Sequence, residues 1–237
     1  MSDWSLIWGM PLWFWLFILP SISAIFARIF QRQAQFFLRP IWWFLDKVYF
    51  ASGLIAAGFM VIILLIILGQ MGARWSGVTF EGSTEFAGYA MAATSFFALA
   101  HALTRGAHIR VSIFLNINNF TRLWLDATAM FVAAVTATYF ARYAIKTNVM
   151  SEMLNDRTQG QDQVPEAFLS ILNLMSSSPY KWAHIWSQMG DGFVFTPVWL
   201  PQIPMSIGTT LLAIALWDNL IRLLVLNKTA ITSEVLR

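Results

Sequence analysis

Of 237 residues, 58% are hydrophobic and only 11% charged, against the roughly one quarter charged that soluble domains carry, so a water-soluble globule does not fit. The net charge of +3 is small, its cations lie in connections beside apolar stretches, and nothing supports nucleic-acid binding. With no cysteine, disulfides, thiolate catalysis, cysteine-ligated zinc and iron–sulfur clusters are ruled out.

The first apolar stretch, residues 6–27, is interrupted by Pro11 and Pro20 and followed by Arg28 and Arg32. It lacks the basic start of a signal peptide and is long for one. An additional retained hydrophobic helix that spans is therefore expected, with a cleaved signal or an interfacial helix as the alternatives. Residues 1–47 read as this extension plus a basic linker. Residues 48–71 hold no charge over 24 positions, enough to cross roughly 30 Å of hydrocarbon.

Residues 86–103 form a second uncharged run, entered through Ser83, Thr84 and Glu85, which suit a helix start by capping and by the dipole. Residues 123–141 form a third, with Asp126 in its first turn. Residues 205–216, extended to about 224, form a fourth that ends with Asp218 and Arg222 one turn apart, where they can pair. The fold expected is an all-α polytopic membrane bundle, with four core helices in residues 48–226 and a tail at 227–237.

The long loop 142–200 is expected to carry short surface helices at 168–175 and 180–189. Pro197, Pro201 and Pro204 lead stiffly into the last span. Basic residues orient the bundle. Arg28, Arg32, Arg39 and Lys47 outweigh Asp46, and Arg105, Arg110 and Arg122 stand without an acid, so both regions belong in the cytoplasm. The loops 72–85 and 142–200 carry slightly more acids than bases and face outside. An even number of core crossings returns the C-terminus to the cytoplasm.

Few ionisable groups fall inside the spans, where they are costly and point to function. His101 is the one titratable side chain well within a span; it reads as a packed or interfacial histidine, or as a group that bonds a partner subunit or relays protons. Glu85 reads as a helix-start carboxylate or as a partner contact. The small residues Gly53, Ala56, Ala57 and Gly58 permit close helix approach. There are no broken helices, paired midplane groups or repeated halves of the kind transport pathways use, so an accessory or scaffold subunit is expected, with no catalytic residue, metal or cofactor.

The turn Arg105-Gly106-Ala107-His108-Ile109-Arg110-Val111 is more specific than positive-inside topology requires. With Glu85 ahead of the second span, it resembles the cytoplasmic signature of the small membrane subunit of tripartite ATP-independent periplasmic (TRAP) transporters, the DctQ-like family, over about residues 47–224. The resemblance implies a multi-pass protein of the bacterial inner membrane. It would scaffold a large multispan subunit for sodium-coupled, binding-protein-dependent uptake of an organic acid, alongside a periplasmic substrate-binding protein.

In that setting Arg105, His108 and Arg110 would bind phospholipid headgroups, at roughly 1 kcal/mol per basic group, or the large subunit's edge. The apolar extension and the long third loop depart from the family pattern. The competing class is a membrane anchor of a redox complex, but b-type haem needs facing axial ligands, and His101 has no second histidine at its depth. An intramembrane hydrolase fares no better: Ser95 and His101 point to different faces of one helix.

Overall fold

The computed structural model describes residues 4–105, 119–187 and 189–226, and within them the protein is an all-α bundle. Four helices are long and apolar enough to cross a membrane: α2 (Gln31–Trp75), α3 (Ser83–Thr104), α4 (Asn119–Met153) and α7 (Trp199–Leu226). They contain the four runs read from the sequence, each lengthened at both ends. A nucleated helix gains one bond for each residue added, so it runs past the last apolar position until a breaker stops it.

α2 shows this most clearly. It begins at Gln31, passes through Pro40 and ends before Gly77, whose φ is +75°. Its 45 residues follow a helical path of about 68 Å, more than twice the hydrocarbon thickness. The basic stretch expected as a linker is thus mostly helix, and it stays against one end of the bundle, where Gln31 and Gln35 reach the last carbonyls of α7. That end, where α3 and α7 also finish, is called the basic end below, and the opposite one the loop end.

α7 is the hub. It packs most extensively on α4 and α3, and also on α1 (Leu19–Ile29) and α2. Of its most apolar stretch 61% is buried, against 11% for α2, so α7 is interior and α2 an edge. The α4 face against it carries Ala127, Ala134, Ala137 and Ala141, all buried with Ala213 and Ala215 of α7 in one core. Alanines three and four apart make a flat strip that lets helices approach closely.

Gly208 does the same for α3, since a Cβ there would run into the backbone carbonyl of Phe96. Two side chains lock α4 to α7: Trp217 Nε1 donates to Thr138 Oγ1 at 3.0 Å, and Asn148 Nδ2 donates to the Trp199 carbonyl at 2.7 Å. α2 lies on α3 through Ala56, Ala93 and the stacked rings of Phe59 and Phe97, 6.0 Å apart.

The N-terminal segment does form the additional hydrophobic helix, but not at spanning length. A two-stranded hairpin comes first, β1 (Leu6–Ile7) against β2 (Met10–Pro11), turned at Trp8 and Gly9 with φ of 53° and 79°, the left-handed pair of a tight hairpin turn. A π-helical turn, Phe14–Ile18, continues into α1 (Leu19–Ile29). Together they reach about 24 Å, short of the hydrocarbon thickness.

This segment lies along α7 and runs in the same direction. At its start Trp4 stacks on Arg142 of α4, and at its end Arg28 Nη1 donates to the Leu224 carbonyl at 3.0 Å. Gln31 Nε2 reaches the same carbonyl at 3.2 Å. These donors satisfy one of the last-turn carbonyls that a helix leaves without partners.

α4 runs twelve residues past position 141, so the long connection covers 154–198. It holds the two expected surface helices, α5 (Glu166–Ser176) and α6 (Trp182–Ser187), the latter entered through a 3-10 turn at Pro179–Lys181. An unanticipated pair of three-residue strands, β3 (Gln163–Pro165) and β4 (Phe193–Phe195), closes it antiparallel.

Candidate functional site: polar clusters at the two ends of the bundle

At the basic end, the expected i,i+4 pair forms: Arg222 Nη2 lies 2.9 Å from Asp218 Oδ2. The same nitrogen is 2.8 Å from Asp46 Oδ1 of α2 and donates to the Trp42 carbonyl at 3.3 Å. The guanidinium sits 5.4 Å from the Trp42 ring. Asp218 is only 7% exposed, and the Tyr49 hydroxyl donates to its Oδ2 at 3.3 Å. One cation thus bridges acids on two helices, the condition under which a charge tolerates burial.

His101 sits beside this cluster, half-buried. Its Nδ1 is 3.2 Å from the Tyr49 carbonyl, which also accepts from Ser52 Oγ at 2.8 Å. The ring occupies the space over Gly53, where a Cβ would come within 2.6 Å of His101 Cγ, and tilts against Phe50 at 6.2 Å. Ser95 faces elsewhere, its hydroxyl bonded to the Met91 carbonyl at 3.0 Å. Arg105 caps the C-terminus of α3, its backbone N–H donating to the His101 carbonyl at 3.1 Å; a cation suits that helix end. His108 and Arg110 lie outside the described residues.

Glu85 belongs to the other end, sixteen residues and about 24 Å along α3 from His101. Gly82, with φ +73°, takes the N-cap position, and none of Ser83, Thr84 and Glu85 caps the helix with its side chain. A Cβ on Gly82 would press on the Gln161 carbonyl at 2.9 Å, so glycine allows both the turn and the close approach of the connection. Glu85 in the first turn faces outward to that connection: its Oε1 accepts the Gln161 N–H at 3.2 Å.

The next residue, Asp162, is fully buried. Its Oδ2 accepts the Tyr89 hydroxyl at 2.6 Å, and its carbonyl accepts Thr196 Oγ1 at 2.7 Å and the Thr196 N–H at 3.0 Å. Burial pushes the Asp162 carboxyl up, but hydrogen bonds led by that of Tyr89 outweigh it and hold the group below the usual aspartate value.

The structure therefore separates the sequence candidates. His101 and Arg105 share the basic end of α3, and Glu85 stands alone at the loop end. Sequence reading missed Tyr49, Asp46, Tyr89, Asp162 and Thr196. Asp46 was visible as the one acid among the cations before the first span, but Asp162 stood in a polar run with nothing to single it out. Both clusters act as fasteners: one ties α2 to α7, the other ties the connection to α3.

In comparison with known proteins, residues 62–178 match the family described as tripartite ATP-independent periplasmic transporters, DctQ component. The matched stretch runs from the middle of α2 to just past α5, narrower than the resemblance read over 47–224, and leaves α1 and α7 outside it. No curated protein and no solved structure matches the chain.

Proposed function

We propose that this chain, whose residues 62–178 match the DctQ component of TRAP transporters, is a small membrane component of such a system and the scaffold for the large transport subunit in sodium-coupled, binding-protein-dependent uptake of an organic acid. The observation that carries this reading is the outer face of α2. Its most apolar stretch is 11% buried within the chain, and Leu54, Val61, Leu65 and Leu68 all stand exposed. Gly58, in the middle of that face, has open space beside it, and a glycine there lets another helix come close.

The large subunit docks along this face and takes α2 as a rigid edge. Sodium and substrate sites belong to that subunit, and the chain adds width to the fixed part of the assembly. The connection 154–198, held to α3 by Glu85 and Asp162, is the surface offered to the periplasmic binding protein. Arg105, His108 and Arg110 stand at the cytoplasmic face of the bacterial inner membrane, where they meet phospholipid headgroups or the large subunit's edge.

Removal of the chain should abolish sodium-driven uptake in reconstituted vesicles while leaving the binding protein's substrate affinity unchanged. Full uptake by the large subunit alone overturns the proposal. Gly58→Trp should lower co-purification of the large subunit without changing the yield of this chain.

A further inference from the structure

Between the N-terminal segment, α4 and α7 lies an apolar cavity of about 480 Å³, within the size range of small-molecule sites. Leu16 and Pro20 form one wall, Ile145 a second, and Ile214 and Trp217 a third. Two cations line it, Arg142 and Lys146, and among the described residues no carboxylate does. The described residues of the N-terminal segment from Trp4 to Ala27 bring no charge to it, nor does the adjoining stretch of α7 from Trp199 to Trp217.

The cations occupy one end. At the inner end Thr138 and Trp217 spend their polar atoms on each other, while Lys146 and Thr210 stand at the mouth, towards the loop end. The eight residues from Thr138 to Lys146 rise about 12 Å. The cavity thus carries its cations in the half towards the loop end, from Arg142 to Lys146, and is apolar in the half towards Thr138 and Trp217.

Arg142 supplies a second observation. Its guanidinium lies 3.8 Å over the Trp4 ring, yet Nε and Nη1 are buried and make no hydrogen bond. Buried charged donors are costly to leave without an acceptor, and no described residue of the N-terminal segment provides one. The shape also selects among occupants. A groove walled by three helical elements and apolar over most of its lining suits a thin, flexible acyl chain.

We propose that this cavity holds one anionic glycerophospholipid, its phosphodiester against Arg142 and Lys146 and one acyl chain between α1, α4 and α7. The lipid comes from the leaflet at the loop end, and it completes the packing of the N-terminal segment on the bundle. The proposal rests on the helices crossing a membrane and does not depend on the transporter reading.

The test uses membrane vesicles from cells expressing the full chain, loaded with phosphatidylglycerol that carries a photoreactive diazirine in its acyl chain. Cross-links should fall on peptides covering 138–146 and 210–217. Unlabelled phosphatidylglycerol should compete, and millimolar inorganic phosphate should not. R142Q together with K146Q should cut labelling at these peptides about tenfold or more. Ile145→Trp, which fills the groove from an exposed position and keeps both charges, should cut it as well. Unchanged labelling in both variants overturns the proposal, as does competition by inorganic phosphate equal to that of the lipid. Cross-links in wild type between the cavity walls and another protein's helix likewise overturn it.

Discussion

Three glycines, Gly53, Gly58 and Gly208, sit in three different surroundings and should respond differently to the same added methyl group. At Gly208 the methyl meets the backbone of Phe96 on α3, which cannot step aside; at Gly53 it meets the His101 ring, a side chain that can turn only by leaving the Tyr49 carbonyl. At Gly58 it meets nothing. Overpacking costs typically 1–3 kcal/mol, and a helical Gly→Ala change returns about 0.5–1 kcal/mol. Thermal denaturation of the purified chain in detergent should rank Gly208→Ala lowest, Gly53→Ala next, and Gly58→Ala at or slightly above wild type. A Gly208→Ala variant as stable as wild type would contradict the close crossing of α3 and α7.

Arg222 offers a second residue-scale prediction. Arg222→Ala strips the cation from Asp218, which is almost wholly buried, and breaking a buried pair from one side costs about 3–5 kcal/mol. Replacing both members by leucine removes the charge together with its partner and should recover much of the loss in the same melting assay. Half of this arrangement was legible beforehand: the spacing of Asp218 and Arg222 announces a pair, because residues four apart share a helix face. That Asp46 joins them was not, since local spacing carries no information about which face of a distant helix arrives.

At the scale of elements, the connection 154–198 is held to α3 by a carboxylate, and its docking is accordingly sensitive to acid. Asp162 titrates below its ordinary value of 3.8 in the folded chain. A depressed folded pKa gives stability that is fully present above the unfolded value and lost as pH falls through the folded one. Amide hydrogen exchange in 158–166 and 193–198 should therefore be slow at pH 7 and accelerate well below 3.8. Asp162→Asn should exchange faster than wild type at pH 7, by about 1–2 kcal/mol in opening free energy, with the difference shrinking in acid. A difference that persists undiminished in acid would mean that the charge of Asp162 is not what holds the connection.

The same elements show where sequence reading stops. Long uncharged runs located all four crossings, because hydrocarbon thickness sets a minimum length. Their ends were misplaced, most of all at α2 and α4, because a helix outside the bilayer can continue through arginine, glutamine and even Pro40. Three-residue strands such as β3 and β4 offer no periodicity to detect, and Gly82 became the α3 cap because of what packs on it, not because of its neighbours in sequence.

At the scale of the whole molecule, the structure turns the charge asymmetry into a sided prediction. Arg28, Arg32, Arg39, Lys47 and Arg105 all gather at the basic end, where the first four lie in or beside the N-terminal part of α2, and an excess of such residues stays in the cytoplasm. The N-terminal segment runs alongside α7 in the same direction, from Arg142 to Leu224, so its first residues share a side with the connection 154–198. Because the chain has no cysteine, single reporters can be placed without background. Ser5, Gln33 and Ser178 are all exposed. A membrane-impermeant maleimide on intact spheroplasts should label Ser178→Cys and Ser5→Cys, and should reach Gln33→Cys only after permeabilisation. Labelling of Gln33→Cys alone would invert the bundle in the membrane. Labelling of Ser178→Cys alone would instead put Ser5 with the basic end, and the path of α1 along α7, together with the lipid cavity built on it, would not survive that result.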